Sequence, residues 1–398
     1  MCPHMAVAAD VPVVRRSAII EQIGFIALCG VAGALQFSIA AAEILLTVSL
    51  ICWAAALVFD RDARVGREIP AFAWPLAIYA ALTLVSTAFS PEPRVSLMAG
   101  KQMVLFLIIP LVYRFAAGPR AGLMVTVIIS FAAASAAVGI VQYGILHYDN
   151  LGQRPQGTLG HYMTYSGLLM LVIGAALARV LFGGRERLWA ALVMPALAVA
   201  VVLTFTRSAW VGACAAAAVL LALKDFRLLA VLPIVAALFF ALAPSAPKKR
   251  FMSMFDLNDP TRRDRVAMLR EGAHMIEAHP LVGIGPNMVQ PLYSEYRDPE
   301  AVDLVNPHLH NVPVQIAAER GLPALAVWTW FIVGLIVALA RRMRRPDQRF
   351  LTAAAIAAVV AMLAAGMFEY NFGDSEFLML FLILTTLPFA AGRGIRGV

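Results

Sequence analysis

Apolar residues fall along the chain in twelve long runs separated by polar breaks, at about 17–36, 39–59, 71–90, 102–117, 121–143, 162–182, 188–206, 208–223, 227–245, 321–340, 350–369 and 376–391. Each run comes close to the roughly 20 residues a helix needs to cross a bilayer. The pattern therefore predicts an all-α polytopic membrane protein of about twelve transmembrane helices. One long polar interval, 246–320, divides the chain into spans one to nine (1–245), a large helical outward loop (246–320) and spans ten to twelve (321–398). The first run follows Arg15 and Arg16 but is followed by no convincing small-residue cleavage site, so it reads as a retained helix.

The basic residues orient the chain. The segments expected to share a side with the termini hold nineteen Lys and Arg, while the short segments opposite hold four, Arg94, Lys101, Arg154 and Arg207. The other nine lie in 246–320, a loop long enough to be exempt from the positive-inside rule. Both termini are thus expected in the cytoplasm, with the long loop outside.

Composition agrees with this pattern. The chain of 398 residues is 61% hydrophobic and 14% charged, against about 45–50% and about 25% for soluble domains. A soluble enzyme, a nucleic-acid reader and a disordered chain are excluded, and the formal charge of +8 reports orientation more than an acidic partner. Cys2, Cys29, Cys52 and Cys214 are isolated and imply neither a disulfide framework nor a zinc site.

The cytoplasmic loops 60–70 and 341–349 are short and simply charged. The outward loop is different, because a structureless stretch of that length is unusual, and it is expected to fold as a lid or active-site element. Thr261-Arg-Arg-Asp264 reads as a capping box opening an amphipathic helix that ends near His279 and Pro280. Gly283-Ile-Gly285-Pro-Asn287 follows and reads as a tight bend or as a turn whose amides face an anion, the bend being favoured since neither standard phosphate-loop pattern is present.

In Asn306-Pro-His308-Leu-His310-Asn311-Val-Pro313, Asn311 suits an N-cap and Pro313 a first turn, so a short helix should run to Arg320 and stop at Gly321. His310 would then sit at a helix N-terminus, which disfavours imidazolium and leaves a neutral ring able to accept a proton. His308 and His310 read either as ordinary loop residues or as such a proton acceptor and its neighbour. Arg207, between two apolar runs, reads as an interfacial snorkelling residue or an anion site. Arg154, the sole cation of its outward loop, precedes His161 and Tyr162. Arg250 with Lys248 and Lys249 reads as a headgroup-facing basic patch. The turn at residues 37–38 holds no D-x-D, and Asp256 and Asp259 are too few for a calcium loop, so no metal is expected.

These residues carry a resemblance. The Arg-led helix containing Arg265, then His279-Pro-Leu-Val-Gly-Ile-Gly285, then His-x-His-Asn followed by Glu319-Arg-Gly321 looks like the signature outward loop of the O-antigen ligases. Thr206-Arg207-Ser208 and Gly157-Thr-Leu-Gly-His161 look like weaker motifs of that family. The resemblance implies a GT-C-like glycosyltransferase architecture in the bacterial inner membrane, with the active site facing the periplasm. It implies a polymeric O-antigen donor on undecaprenyl pyrophosphate, a lipid A–core acceptor, surrounding membrane lipids, no nucleic acid and no cofactor.

Within it, His310 is expected as the general base of a metal-independent, inverting transfer, and Arg207, Arg265 and Arg154 as the diphosphate holders. His308 is expected to orient the acceptor, and Asn311 and His161 to complete the substrate-binding set, with Asn311 fixing the helix start. An O-antigen polymerase is the competing enzyme. A secondary transporter is the other class, disfavoured because only Glu21 and Glu43 read as acids within spans and the two halves show no similarity.

Overall fold

A computed structural model describes residues 11–59, 69–184, 186–256 and 259–393, with side chains from residue 18 onward. The first helices are α1 (Val11–Ala34), α2 (Ile39–Phe59), α3 (Trp74–Ala88), α4 (Pro93–Gly100) and α5 (Ile108–Phe115), the last two joined by a 3-10 stretch at Lys101–Leu107. Next come α6 (Arg120–Gly144), α7 (Tyr162–Phe182), α8 (Arg187–Leu203), α9 (Arg207–Lys224), α10 (Val231–Leu242) and α11 (Ser245–Met252). The remainder is α12 (Pro260–Ala278), α13 (Tyr293–Tyr296), α14 (Val312–Arg342), α15 (Arg349–Gly366) and α16 (Ser375–Ala391). No strand occurs among the described residues.

Among the described residues, eight helical segments are long and apolar enough to cross a membrane, and four shorter apolar helices lie at Ala18–Ala34, Arg187–Leu203, Phe226–Leu242 and Ser375–Ala391. Each falls on one of the apolar runs of the sequence. The chain is an all-α, multi-pass membrane protein.

Helices α7, α15 and α16 are buried along most of their length and form the centre, whereas α10 buries no residue and lies at the rim. Small residues allow the central helices to touch, as in other membrane bundles. A β-carbon on Gly212 of α9 would overlap Met170 of α7, and one on Gly174 of α7 would come within 3.1 Å of the Ala357 side chain on α15. Glu21 is not free in its span, since its carboxylate accepts a 2.7 Å bond from buried Arg114 of α5.

The region between α11 and α14 packs around its own small core of Met268, Met275, Ile284, Met288, Val289, Leu309 and Ala318. The expected capping box needs correction. Asp259 is the N-cap of α12, its carboxylate accepting from the Thr261 amide at 2.9 Å, because Pro260 fits the first helical position and moves the start upstream. Asp264 instead accepts from the amides of Val302 and Asp303 and from Asn306 Nδ2, tying the later loop to α12.

The Gly283–Asn287 bend docks on α14. The amides of Ile284 and Gly285 donate to the carbonyls of Ala318 and Glu319, and the Asn287 amide donates to Glu319 Oε1 at 2.8 Å. With those donors occupied, the turn is a structural bend. Gly283 (φ 70°) lies so close to Glu319 that a β-carbon would overlap its backbone. Gly321 (φ 82°, ψ 166°) breaks α14 at the point where the sequence places a helix stop, and the chain then resumes as an apolar span.

Candidate active site

Asn311 caps α14, its Oδ1 accepting from the Val314 amide at 3.0 Å while its Nδ2 donates to the Met367 carbonyl. The residue before it, His310, is held at φ 48°, a left-handed conformation that costs a non-glycine residue of order 1–3 kcal/mol. That geometry turns the ring toward the segment between α15 and α16. There Glu369 Oε1 sits 3.0 Å from His310 Nδ1 and 3.3 Å from His308 Nε2, and also accepts from the Tyr370 amide. The two rings lie 4.4 Å apart, centroid to centroid.

Burial pushes the Glu369 carboxyl up, but the bonds to His308 and His310 outweigh it and hold the group well below the usual carboxylate range. An ionised Glu369 selects the tautomer with hydrogen on His310 Nδ1, which leaves Nε2 as an acceptor, the orientation logic of a carboxylate–histidine pair.

On the His310 side lies a cavity of about 300 Å³ whose walls include Arg154, Arg207, Arg250 and Arg265. Each guanidinium arrives from a different element. Arg207 opens α9 behind Phe205, itself left-handed at φ 56°, and pairs with Asp259 (3.0 and 3.5 Å) and with Ser253 Oγ (3.1 Å). Burial pushes the Asp259 carboxyl up, but Arg207 and the Thr261 bonds outweigh it and pull it below its ordinary value. Arg250 donates to the Phe205 carbonyl at 3.3 Å, and burial followed by Arg207 and Arg154 pushes it down to about 10. It lines this cavity rather than forming the headgroup-facing patch expected with Lys248 and Lys249.

Arg154 lies 4.2 Å over the Tyr162 ring in a loop that Gln142 anchors by accepting from the amides of Gln156 and Gly157. Arg265 faces the cavity from α12, while its neighbours Arg262 and Arg263 are exposed. Burial lowers both Arg154 and Arg265. Asp303 on the same wall is raised by burial and then by Asp264.

Two more cavities meet this centre. One of about 870 Å³ shares Glu369 with it and is lined by His308, His161 and Glu43. The other, about 430 Å³, is lined by Val211, Val266, Leu269, Met367 and Phe368, with Arg207, Arg265 and His310 also on its wall.

Of the residues singled out from sequence, Arg154, Arg207, Arg265 and His310 thus share one cavity. His308 and His161 face the larger one, with His161 Nδ1 3.3 Å from Thr164 Oγ1. Asn311 lines none of the three and acts on the helix start. His308, His310 and Glu369 present ligand atoms within 4.8 Å of one another and so could hold a metal ion, a cluster the spacing in sequence did not suggest.

Glu369, Asp259 and Arg250 are the residues that sequence reasoning missed. A weak signal existed for the first. Phe368-Glu-Tyr-Asn371 lies in the short connection between two apolar runs, which also carries Asp374, and orientation by Lys and Arg alone does not register acids. Asp259 lies 52 positions from Arg207, and no local pattern connects them.

No curated protein matches the chain. Residues 190–329 match the family model described as O-antigen ligase. The match spans α8, Arg207, Asp259, α12, both histidines and the break at Gly321, and ends before Glu369. The histidine pair and three of the four cavity arginines thus lie in the stretch that is similar to the O-antigen ligases.

Proposed function

We propose that the protein transfers O-antigen polysaccharide from undecaprenyl pyrophosphate to a sugar hydroxyl of lipid A–core at the periplasmic face of the inner membrane. The observation that carries this reading is the convergence of four arginines and a carboxylate-oriented histidine on one cavity. Diphosphate is a good leaving group that needs charge stabilisation more than protonation, and arginines supply it through bidentate bonds to phosphate oxygens. Arg207, Arg265 and Arg154, joined by Arg250, take that role, where another enzyme would use a divalent ion.

The acceptor hydroxyl attacks the anomeric carbon as His310 Nε2 takes its proton. The bond from that carbon to the phosphate oxygen breaks, with its electron pair leaving on the diphosphate. One direct displacement inverts the anomeric centre. Glu369 holds the His310 ring and balances the imidazolium that forms, and His308 orients the acceptor. The apolar cavity beside Arg265, with Val211, Leu269 and Phe368 on its wall, suits the first prenyl units at the membrane edge.

The same reading keeps twelve spans, cytoplasmic termini, a GT-C-like architecture and the division at 245 and 320. The test uses purified protein with undecaprenyl-linked polysaccharide, lipid A–core and EDTA. Ladder lipopolysaccharide formed with inversion, seen by NMR of the new linkage, supports the proposal. Retention, or loss of activity to EDTA, contradicts the mechanism. Lengthening of undecaprenyl-linked repeats without ligation assigns the protein as a polymerase.

A further inference from the structure

The two polar cavities that meet at Glu369 differ in charge. The smaller is walled by four arginines and by Asp264, Asp303 and Glu369. The larger has Glu43, Glu319, Glu369 and Asp374 against Lys101 and Arg320. Arg320 and Glu319 are committed to each other at 2.6 Å, with the Tyr370 hydroxyl 3.3 Å from the same guanidinium, and Glu369 is common to both cavities, so Glu43 and Asp374 stand against Lys101 on this wall. Asp374 accepts from Thr164 Oγ1, which also meets His161, so the far wall is a chain of groups suited to hydroxyls. Deeper in, Leu46, Leu50, Leu105 and Met170 make the wall apolar.

We propose that the larger cavity is the acceptor chamber and that its carboxylates select a glycan whose reacting end carries no phosphate or carboxylate. The inference rests on the reading above. With diphosphate at the arginines, a displacing hydroxyl must approach from the side away from the leaving group. The larger cavity shares Glu369, Met163, Thr206 and Ser208 with the smaller one, so a hydroxyl reaching His310 across that shared wall comes from a volume other than the one that holds the diphosphate. Glu43, exposed near the outer end of α2, stands on its wall and repels an anionic sugar before it reaches His308. The charge difference thus sorts the substrates, drawing the anionic end of the donor to one chamber and a neutral or amino sugar to the other.

The test compares two synthetic glycolipids that differ only in ending with a neutral hexose or with the corresponding hexuronate. Equilibrium binding is measured in detergent to the wild type and to Glu43→Lys, with undecaprenyl diphosphate bound in parallel. The neutral probe should bind the wild type about tenfold tighter than the hexuronate. Glu43→Lys should narrow that gap to about threefold or less while leaving undecaprenyl diphosphate affinity unchanged. Equal binding of the two probes to the wild type overturns the inference, as does a Glu43→Lys effect that falls on undecaprenyl diphosphate instead. Charge-selective binding without any glycan transfer would count against the ligase reading and leave the chamber assignment standing.

Discussion

His310 is placed by two constraints that act on a single residue. Asn311 fixes the start of α14 behind it, and Glu369 fixes its ring in front. Glu369→Gln removes the charge but keeps the size, so the ring loses its selected tautomer. Transfer should fall about 10²-fold, within the range of general-base catalysis, while donor affinity is unchanged. A rate within threefold of wild type would remove Glu369 from the mechanism.

Arg207 and Asp259 form a buried pair, each side chain under a tenth exposed, and breaking such a pair costs about 3 kcal/mol. Because the folded Asp259 pKa lies below its ordinary value, the stabilisation is complete above an unfolded carboxyl pKa of about 4. It is lost as pH falls through the lower folded value. The Tm difference between wild type and Asp259→Asn should therefore hold steady from pH 8 to 5 and shrink toward zero below about pH 4. A difference that grows on acidification contradicts the pairing.

At the scale of elements, glycines set where the outward region meets the bundle. Gly283 and Gly321 both need positive φ, and each lies against the other's segment, Gly283 on Glu319 and Gly321 on Leu281. Gly283→Ala must open that contact as well as adopt an unfavourable φ, so it should destabilise by about 3 kcal/mol, read as a lowered Tm. An unchanged Tm would show that the bend does not dock as described.

The helix stop at Gly321 and the cap at Asn311 were legible in sequence because local backbone rules decide them. The start of α12 was misplaced by two residues because the capping-box pattern at Thr261 competed with Pro260, and proline at the first helical position prevailed. Arg207 was legible as a cation out of place. Its partner was not, because the separation of 52 positions is closed by tertiary packing alone.

For the whole molecule, hydrophobic period and length fixed the class of fold, since a backbone in lipid must satisfy its own hydrogen bonds and only helices do so within one segment. The cavities were not legible. They are spaces between helices distant in sequence, and Arg154, Arg250, Arg265 and Glu369 come from four elements that only folding brings together. Orientation remains testable by chemistry. Leu304, in the 246–320 loop that the proposed orientation puts outside, is 79% exposed, so Leu304→Cys in a background lacking the native cysteines should react with a membrane-impermeant maleimide in spheroplasts. Labelling that requires lysis would reverse the topology.

The central claim is that His310 takes the proton from the attacking hydroxyl while the arginines hold the diphosphate. It is tested most directly by single-turnover transfer in EDTA, comparing wild type with His310→Ala at saturating donor, with undecaprenyl diphosphate binding measured on the same samples. The account expects a rate loss of at least about 10²-fold with diphosphate binding intact. Transfer by His310→Ala within a few-fold of wild type, or a loss that follows weakened diphosphate binding, would contradict it.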